Sequence, residues 1–467
     1  MHMKKTLLLL LIFVTGVGNY LMGQPDWDKA NQIVNSIRKT SFPQKFYNIV
    51  DFGAREGGHV LSTEAINKAI VTCNQNGGGI VLVPRGEFLT GPVVLKSNVN
   101  LHLEDGAVLK FATDPKLYMP SVLTRWEGVD CYNTSPLIYA YGESNIAITG
   151  SGIIDGQASN DTWWSWNGNP RFGWKEGIPS QKNGSRNRLL ESAENLKPVI
   201  ERIFTIEDAL RPQMVNLYFC NTILIEGVTL KNSPFWMIHP LLCKDMIVRD
   251  VTIHNLGPNG DGCDPESCSN VLIEKCYFDT GDDCIAIKSG RNADGRKWNV
   301  PSENIVVRDC YMKNGHGGVV IGSEISGGFR NLFVENCKMD SPELDRVIRI
   351  KTNTCRGGVV ENVYARNITV GQCKEAVLKI NLEYEPNEDC DRNFPPTVKN
   401  VYLQNITSGK SKYGVLIIGL KDAVNVEHVS VKDCNFSNVE KDYSVSGAAD
   451  VNFSNLKING KEVNLKE

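Results

Sequence analysis

No run of like charge, no low-complexity segment and no CxxC pair occurs in the 467 residues of this chain. Lys and Arg number 50 against 53 Asp and Glu, a formal charge of −3. Without a basic patch to follow a phosphate backbone, nucleic acid is a poor partner. No Cys/His spacing of the zinc-site kind is present, so no metal is expected. One apolar stretch stands out, Leu7 to Val14, behind Lys4 and Lys5 and ahead of small residues near Gly23. It is too short to span a bilayer and has the form of a signal peptide. Residues 1–23 are therefore expected to be removed, with cleavage near Gly23-Gln24, and the protein to be secreted or periplasmic. No cysteine lies at that boundary, so no lipid anchor is expected there, and no other stretch is long enough for a membrane span.

Helical periodicity is also nearly absent beyond Thr222. A repeat stands in its place. The runs TILIEGV (from Thr222), DMIVRDV (Asp245), NVLIEKC (Asn270), NIVVRDC (Asn304), NLFVENC (Asn331), NVYARNI (Asn362), NVYLQNI (Asn400) and HVSVKDC (His428) align. Their last column reads Val228, Val251, Cys276, Cys310, Cys337, Ile368, Ile406, Cys434, in steps of 23 to 38 residues. Each run is β-branched and is broken by Gly, Asn and Asp turns. Self-similarity at this period means a solenoid whose units bury their apolar edges only against neighbours. The expected fold is all-β, a right-handed parallel β-helix over residues 46–467. The four cysteines share a column with Val and Ile, so they read as inward-facing free thiols rather than disulfides.

Polar clusters recur on this ruler. Asn259-Gly260-Asp261, Gly281-Asp282-Asp283, Gly315-His316-Gly317 and Arg349-Ile350-Lys351 follow in order. Asp282 is six residues after Cys276 and His316 six after Cys310, so they share a phase on adjacent coils, about 4.8 Å apart. An acid, a base and an anion clamp then occupy one patch, the set needed to cut a glycosidic bond in an acidic polysaccharide. Adjacent strand residues point to opposite faces, so Asp282 and Asp283 need a bend, which Gly281 allows. Arg349 and Lys351, two apart, share a face, with Ile348 and Ile350 inside. The like charges of Asp261 and Asp283 are expected to raise the pKa of Asp282, with a charged His316 pulling the other way.

The remaining chain is read more simply. Residues 24–45 form a helical segment, with Trp27, Ala30, Ile33, Val34 and Ile37 at helical spacing, and Ser62 to Asn74 forms a second helix. One of these short N-terminal capping helices plugs the open end of the solenoid. Residues 159–195, with Trp163, Trp164, Trp166 and Trp174, show no strand period and read as an inserted loop. Its aromatics are either a sugar-stacking wall or ordinary loop packing. Tyr384, one coil after the cations, could stack on a sugar. Asp264 reads as a structural hydrogen-bonder and His239 as a buried, satisfied histidine.

Together the motifs N-x-D, D-D, G-H-G and R-I-K, in that order, resemble the polygalacturonases of glycoside hydrolase family 28. Gly77 to Leu109 and Asn232 to Pro240 also read like that family, so the resemblance runs from about Tyr47 to the C-terminus. Gly260 departs from it, since many members carry Thr there. The resemblance implies an inverting hydrolase that needs no cofactor and acts on α-1,4-galacturonosidic bonds of pectin. Asp282 would be the general acid, and Asp261 and Asp283 would hold and deprotonate the water. His316 would tune their protonation, and Asn259, Arg349 and Lys351 would bind galacturonate. Inversion calls for carboxyls about 6.5–9.5 Å apart. The insertion is long enough to close one end of a groove, which would make the action exo. Rhamnogalacturonan or xylogalacturonan hydrolysis, pectate lyase chemistry and a non-catalytic β-helix are the competing expectations.

Overall fold

The structure, a computed structural model, describes residues 27–385 and 388–466; the expected signal peptide lies outside them. Parallel strands wind into the expected β-helix, three strands to a coil. The aligned runs are its first face. Ile223 pairs with Met246, then Val271, Ile305, Leu332, Val363, Val401 and Val429 follow in one register line. That is the alignment read from the sequence, residue for residue.

Two features of the runs explain the stacking. Their first residues (Asn270, Asn304, Asn331, Asn362 and Asn400 among them) all adopt left-handed backbone, with φ between 56° and 66°. Asn tolerates that conformation. From Asn304 to Asn400 each side chain donates to the amide oxygen one coil earlier, Asn304 to Asn270 at 3.2 Å and Asn331 to Asn304 at 2.9 Å, and Asn270 donates to the Asp245 carboxylate at 3.1 Å, so a ladder of side chains fixes the corner. The last residues point inward as expected: Cys276, Cys310, Cys337 and Cys434 are buried free thiols. Each donates to the carbonyl two residues earlier, at 3.1–3.4 Å. A disulfide does form elsewhere, between Cys355 and Cys390, which no spacing in the sequence indicated.

Both ends of the stack are covered. Helix α2 (Thr63–Gln75) buries Ala65, Ile66, Ala69, Ile70 and Cys73 against the first coils. The antiparallel hairpin of strands Ala448–Ile458 and Lys461–Lys466 closes the other end. Helix α1 (Trp27–Ser36) is not a cap. Its Ala30 and Ile33, with Ile37 just beyond it, pack on Ile247, Leu272, Val306 and Phe333, side chains on the outer side of the first face. The run pattern I-V, L-I, V-V, F-V put an apolar residue on that outer side, and α1 is what covers it.

The insertion is ordered rather than a plain loop. It contains 3₁₀ turns at Trp163–Asn167 and Pro170–Phe172, then helix α3 (Ser185–Glu194). Leu189 and Ala193 of α3 join Trp126, Phe204, Phe235 and Trp236 in a core of their own beside the solenoid. Trp163 and Trp166 are buried and pack on each other, and Trp163 also packs on Tyr118. Trp164 Nε1 donates to the Ser233 carbonyl at 2.9 Å, and Trp174 Nε1 to the Ile178 carbonyl at 3.0 Å. Trp163 and Trp166 are thus packing residues, while Trp164 and Trp174 are half-buried. Among the described residues no helix is long and apolar enough to cross a membrane.

Candidate active site

The third face of the solenoid is interrupted where the acids lie. Its first part ends with Ile238–Leu241 and its second begins with Ile285–Ile287. Between them the coil over 256–268 makes only isolated bridges, Cys263 to Ile238 and Ile285, and Glu266 to Leu241 and Lys288. Asp261 sits on this irregular coil. Asp282 and Asp283 sit on the bend between strands Tyr277–Thr280 and Ile285–Ile287, so both turn the same way. A Cβ at Gly281 would come within 2.5 Å of the Gly257 carbonyl. At Gly260 a Cβ would lie 2.5 Å from the Asn255 carbonyl, so a larger side chain has no room there.

His316 is stacked on Asp282 as expected, its Nδ1 2.9 Å from Oδ1. One oxygen each from Asp261, Asp282 and Asp283 lie within 4.8 Å of one another. Asp282 and Asp283 share one bend and Asp261 belongs to the coil before it, so the three meet at one corner. Such a trio could hold a cation, but protein cations already meet it. Lys351 Nζ is 2.7 Å from Asp283 and Arg349 3.6 Å, while Lys288 Nζ is 4.0 Å from Asp261. Arg349 and Lys351 project from strand Arg346–Lys351, each 5.4 Å from the centre of the Tyr384 ring.

Asn259, Asp282, His316, Arg349, Lys351 and Tyr384 line one cavity of about 310 Å³, a volume suited to a small ligand. Asp261 and Asp283 lie behind this lining, with side chains 4% and 0% exposed against 19% for Asp282. Of the three acids, only Asp282 opens into the cavity. A neighbouring cavity of about 850 Å³ is larger but holds none of these groups; it is walled by α3 and the segment around the disulfide. Sequence reasoning missed Lys288, Glu324, Trp236, Arg291 and Arg186, which also line the reactive cavity. Lys288 was findable. The alternation Ile285-Ala286-Ile287-Lys288 puts it on the outer face, as it does Arg349. Its ammonium bridges Glu324 (3.2 Å) and Asp264 (3.6 Å) over the Trp236 ring.

Two other expectations divide. His239 is buried and satisfied, with Nε2 2.8 Å from Glu266 and Nδ1 3.0 Å from Asn216. Asp264 is buried, yet among the described residues no donor hydrogen-bonds either of its oxygens. Burial therefore pushes its carboxyl well above the usual range, against the pull of Lys288.

Protonation runs opposite to the expectation for Asp282. Burial opposes its ionisation, but the hydrogen bond and charge of His316, with Lys351 and Lys288, outweigh burial and hold it below the usual range. Asp261 is the raised member, first by burial, then by the charges of Asp282 and Asp264. His316 is raised by its hydrogen bond to Asp282 and by that charge. The imidazolium–carboxylate pair is thus complete below the ordinary imidazole value and is lost only as pH rises through the elevated one. The alkaline limb of the pH–kcat/KM profile is expected above about 6.5, the free imidazole value. In His316→Gln that limb should fall to lower pH, since Asp282 must then hold the proton alone; an unmoved limb contradicts the coupling.

Comparison with known proteins decides the family. The sequence model of glycosyl hydrolases family 28 matches residues 205–460, more than half of the chain. The chain belongs to this family. It is 31% identical over 341 residues to a protein from Vitis vinifera described as a probable polygalacturonase (70% of this chain, 61% of that one). It is 27% identical to an exo-poly-α-D-galacturonosidase of Dickeya chrysanthemi (74% of this chain, 59% of that one). The matched part is thus about three-fifths of each relative's length. A hyperthermoactive exopolygalacturonase from Thermotoga maritima superimposes with a TM-score of 0.90 at 42% identity, covering 94% of this chain and 98% of that one. The parallel β-helix therefore carries a family 28 glycosyl hydrolase sequence.

Proposed function

We propose that this family 28 protein is an exported exo-polygalacturonase that hydrolyses α-1,4-galacturonosidic bonds at chain ends of pectin. The observation that carries the reading is the joining of the Asp261–Asp282–Asp283 cluster to the Arg349–Lys351 pair over a small cavity. Arg349 and Lys351 bind the sugar carboxylate, with Tyr384 beside them. A water on the buried side is held by Asp261 and Asp283. It attacks the anomeric carbon as the glycosidic C–O bond breaks. The leaving oxygen takes the proton that Asp282 and His316 hold between them, and a buried carboxylate takes the proton of the water. Lys288, Arg349, Lys351 and His316 supply the countercharge, so the scheme requires no metal.

The insertion supports chain-end action. Arg186 of α3 lines the reactive cavity and pairs with Glu127 at 2.7 Å, so the inserted segment stands at the mouth instead of leaving an open groove. Export fits the Cys355–Cys390 disulfide, a bond of oxidising compartments. The test is digestion of a panel of pectic polymers (polygalacturonate, rhamnogalacturonan, xylogalacturonan) with sizing of early products. Galacturonate monomer or dimer from polygalacturonate, without intermediate oligomers, is expected. A ladder of oligomers would defeat the exo assignment, and preference for another polymer would defeat the substrate.

A further inference from the structure

Arg211 is fully buried and lies behind the reactive cavity rather than in it. Its hydrogen bonds all go to neutral acceptors. Nε donates to Gln181 Oε1 at 3.2 Å, Nη1 to the carbonyls of Pro234 (2.9 Å) and Pro258 (2.7 Å), and Nη2 to Asn259 Oδ1 at 2.7 Å. The guanidinium also lies 5.1 Å from the centre of the Phe235 ring. A buried cation with no carboxylate bonded to it is costly, and burial lowers its pKa to about 9. Such a group is informative when it contacts a site residue, and this one does. Asn259 Oδ1 receives a second donor, Asn167 Nδ2, at 3.5 Å. Gln181 and Asn167 both belong to the insertion.

An amide whose oxygen is held by two donors from behind has its other end fixed as well. We infer that Arg211 is a positioning residue that, held by Gln181 of the insertion and joined by Asn167 on the same amide oxygen, turns the amide N–H₂ of Asn259 toward the substrate. The inserted segment then has a second role besides walling the mouth: it sets the donor that reads the sugar. This rests on the galacturonate reading of the cavity and adds to it which residues orient Asn259.

A double-mutant cycle tests it, because a residue acting only through another loses its effect when that other is removed. Arg211→Met and Asn259→Ala are each expected to raise KM for trigalacturonate roughly tenfold with a smaller change in kcat. The double variant should be no worse than Asn259→Ala alone. Calorimetric binding of galacturonate should show the same pattern without turnover. Costs that multiply in the double variant, or a lowered Tm with KM unchanged, would overturn the inference and leave Arg211 a structural residue. Should Arg211→Met not fold, Gln181→Ala and Asn167→Ala go through the same cycle. A KM increase of about threefold that vanishes beside Asn259→Ala supports the role; equal cost in both backgrounds, or none, overturns it. Wild-type protein that turns over no polygalacturonate yet binds galacturonate would defeat the substrate assignment alone, and the calorimetric cycle would still decide the role of Arg211; wild-type protein that binds no galacturonate would overturn both.

Discussion

Asp282→Asn is expected to lower kcat on polygalacturonate by roughly 10²–10⁴-fold, the usual contribution of a general acid. KM should change by no more than about threefold, because the cationic clamp is untouched. The geometry behind this is that Asp282 alone among the three acids opens into the cavity, while His316 lies on its Oδ1. Asparagine keeps the size of the side chain and an oxygen for His316 but carries no transferable proton. Tm should therefore stay near wild type. A variant that binds trigalacturonate and still turns over within tenfold of wild type would show that the proton comes from elsewhere, with Asp261, the carboxyl whose affinity for a proton is raised, as the next candidate.

Lys351→Ala should cost both stability and activity. Lys351 Nζ lies 2.7 Å from Asp283 Oδ2, with the side chains 9% and 0% exposed. Removing the lysine leaves a buried carboxylate whose remaining ion pair among the described residues is Arg349 at 3.6 Å. Breaking a buried pair from one side typically costs about 3–5 kcal/mol, which denaturant titration would register as a lower midpoint. The substrate carboxylate loses a charged donor at the same time, so kcat/KM is expected to fall by 10²-fold or more. Lys351→Ala/Asp283→Asn separates the two effects: it should recover most of the stability and none of the activity. Recovery of activity in the double variant would mean that Lys351 serves only to neutralise Asp283.

Much of this was legible in the amino-acid order, for a physical reason. In a parallel β-helix the contacts that matter repeat at one coil's distance, so aligning the runs from Thr222 to Cys434 amounts to writing down the hydrogen-bond register. The inward cysteines and the stacking of Asp282 on His316 follow from that register alone. What stayed hidden depends on contacts with no period. The Cys355–Cys390 bond joins residues 35 apart that belong to no column. Glu324 lies in a turn that reads as surface, and Arg211 reads as one more arginine until Asn259 is placed beside it. The outer docking of α1 was invisible because an apolar helix stripe does not say which apolar face receives it. The order of proton affinities was misjudged because a count of nearby acids omits both the depth of Asp261 and the grip of His316 on Asp282.

The most direct measurement is a ¹H NMR time course of trigalacturonate digestion by the wild-type protein. Early spectra should show saturated galacturonate released from one end, with the β-anomeric signal ahead of the α signal until mutarotation equalises them. A first product of α configuration would replace the attacking water with an enzyme nucleophile, and the resonances of an unsaturated uronate would mean elimination. Either would contradict a water held over Asp261 and Asp283 and a proton delivered from Asp282.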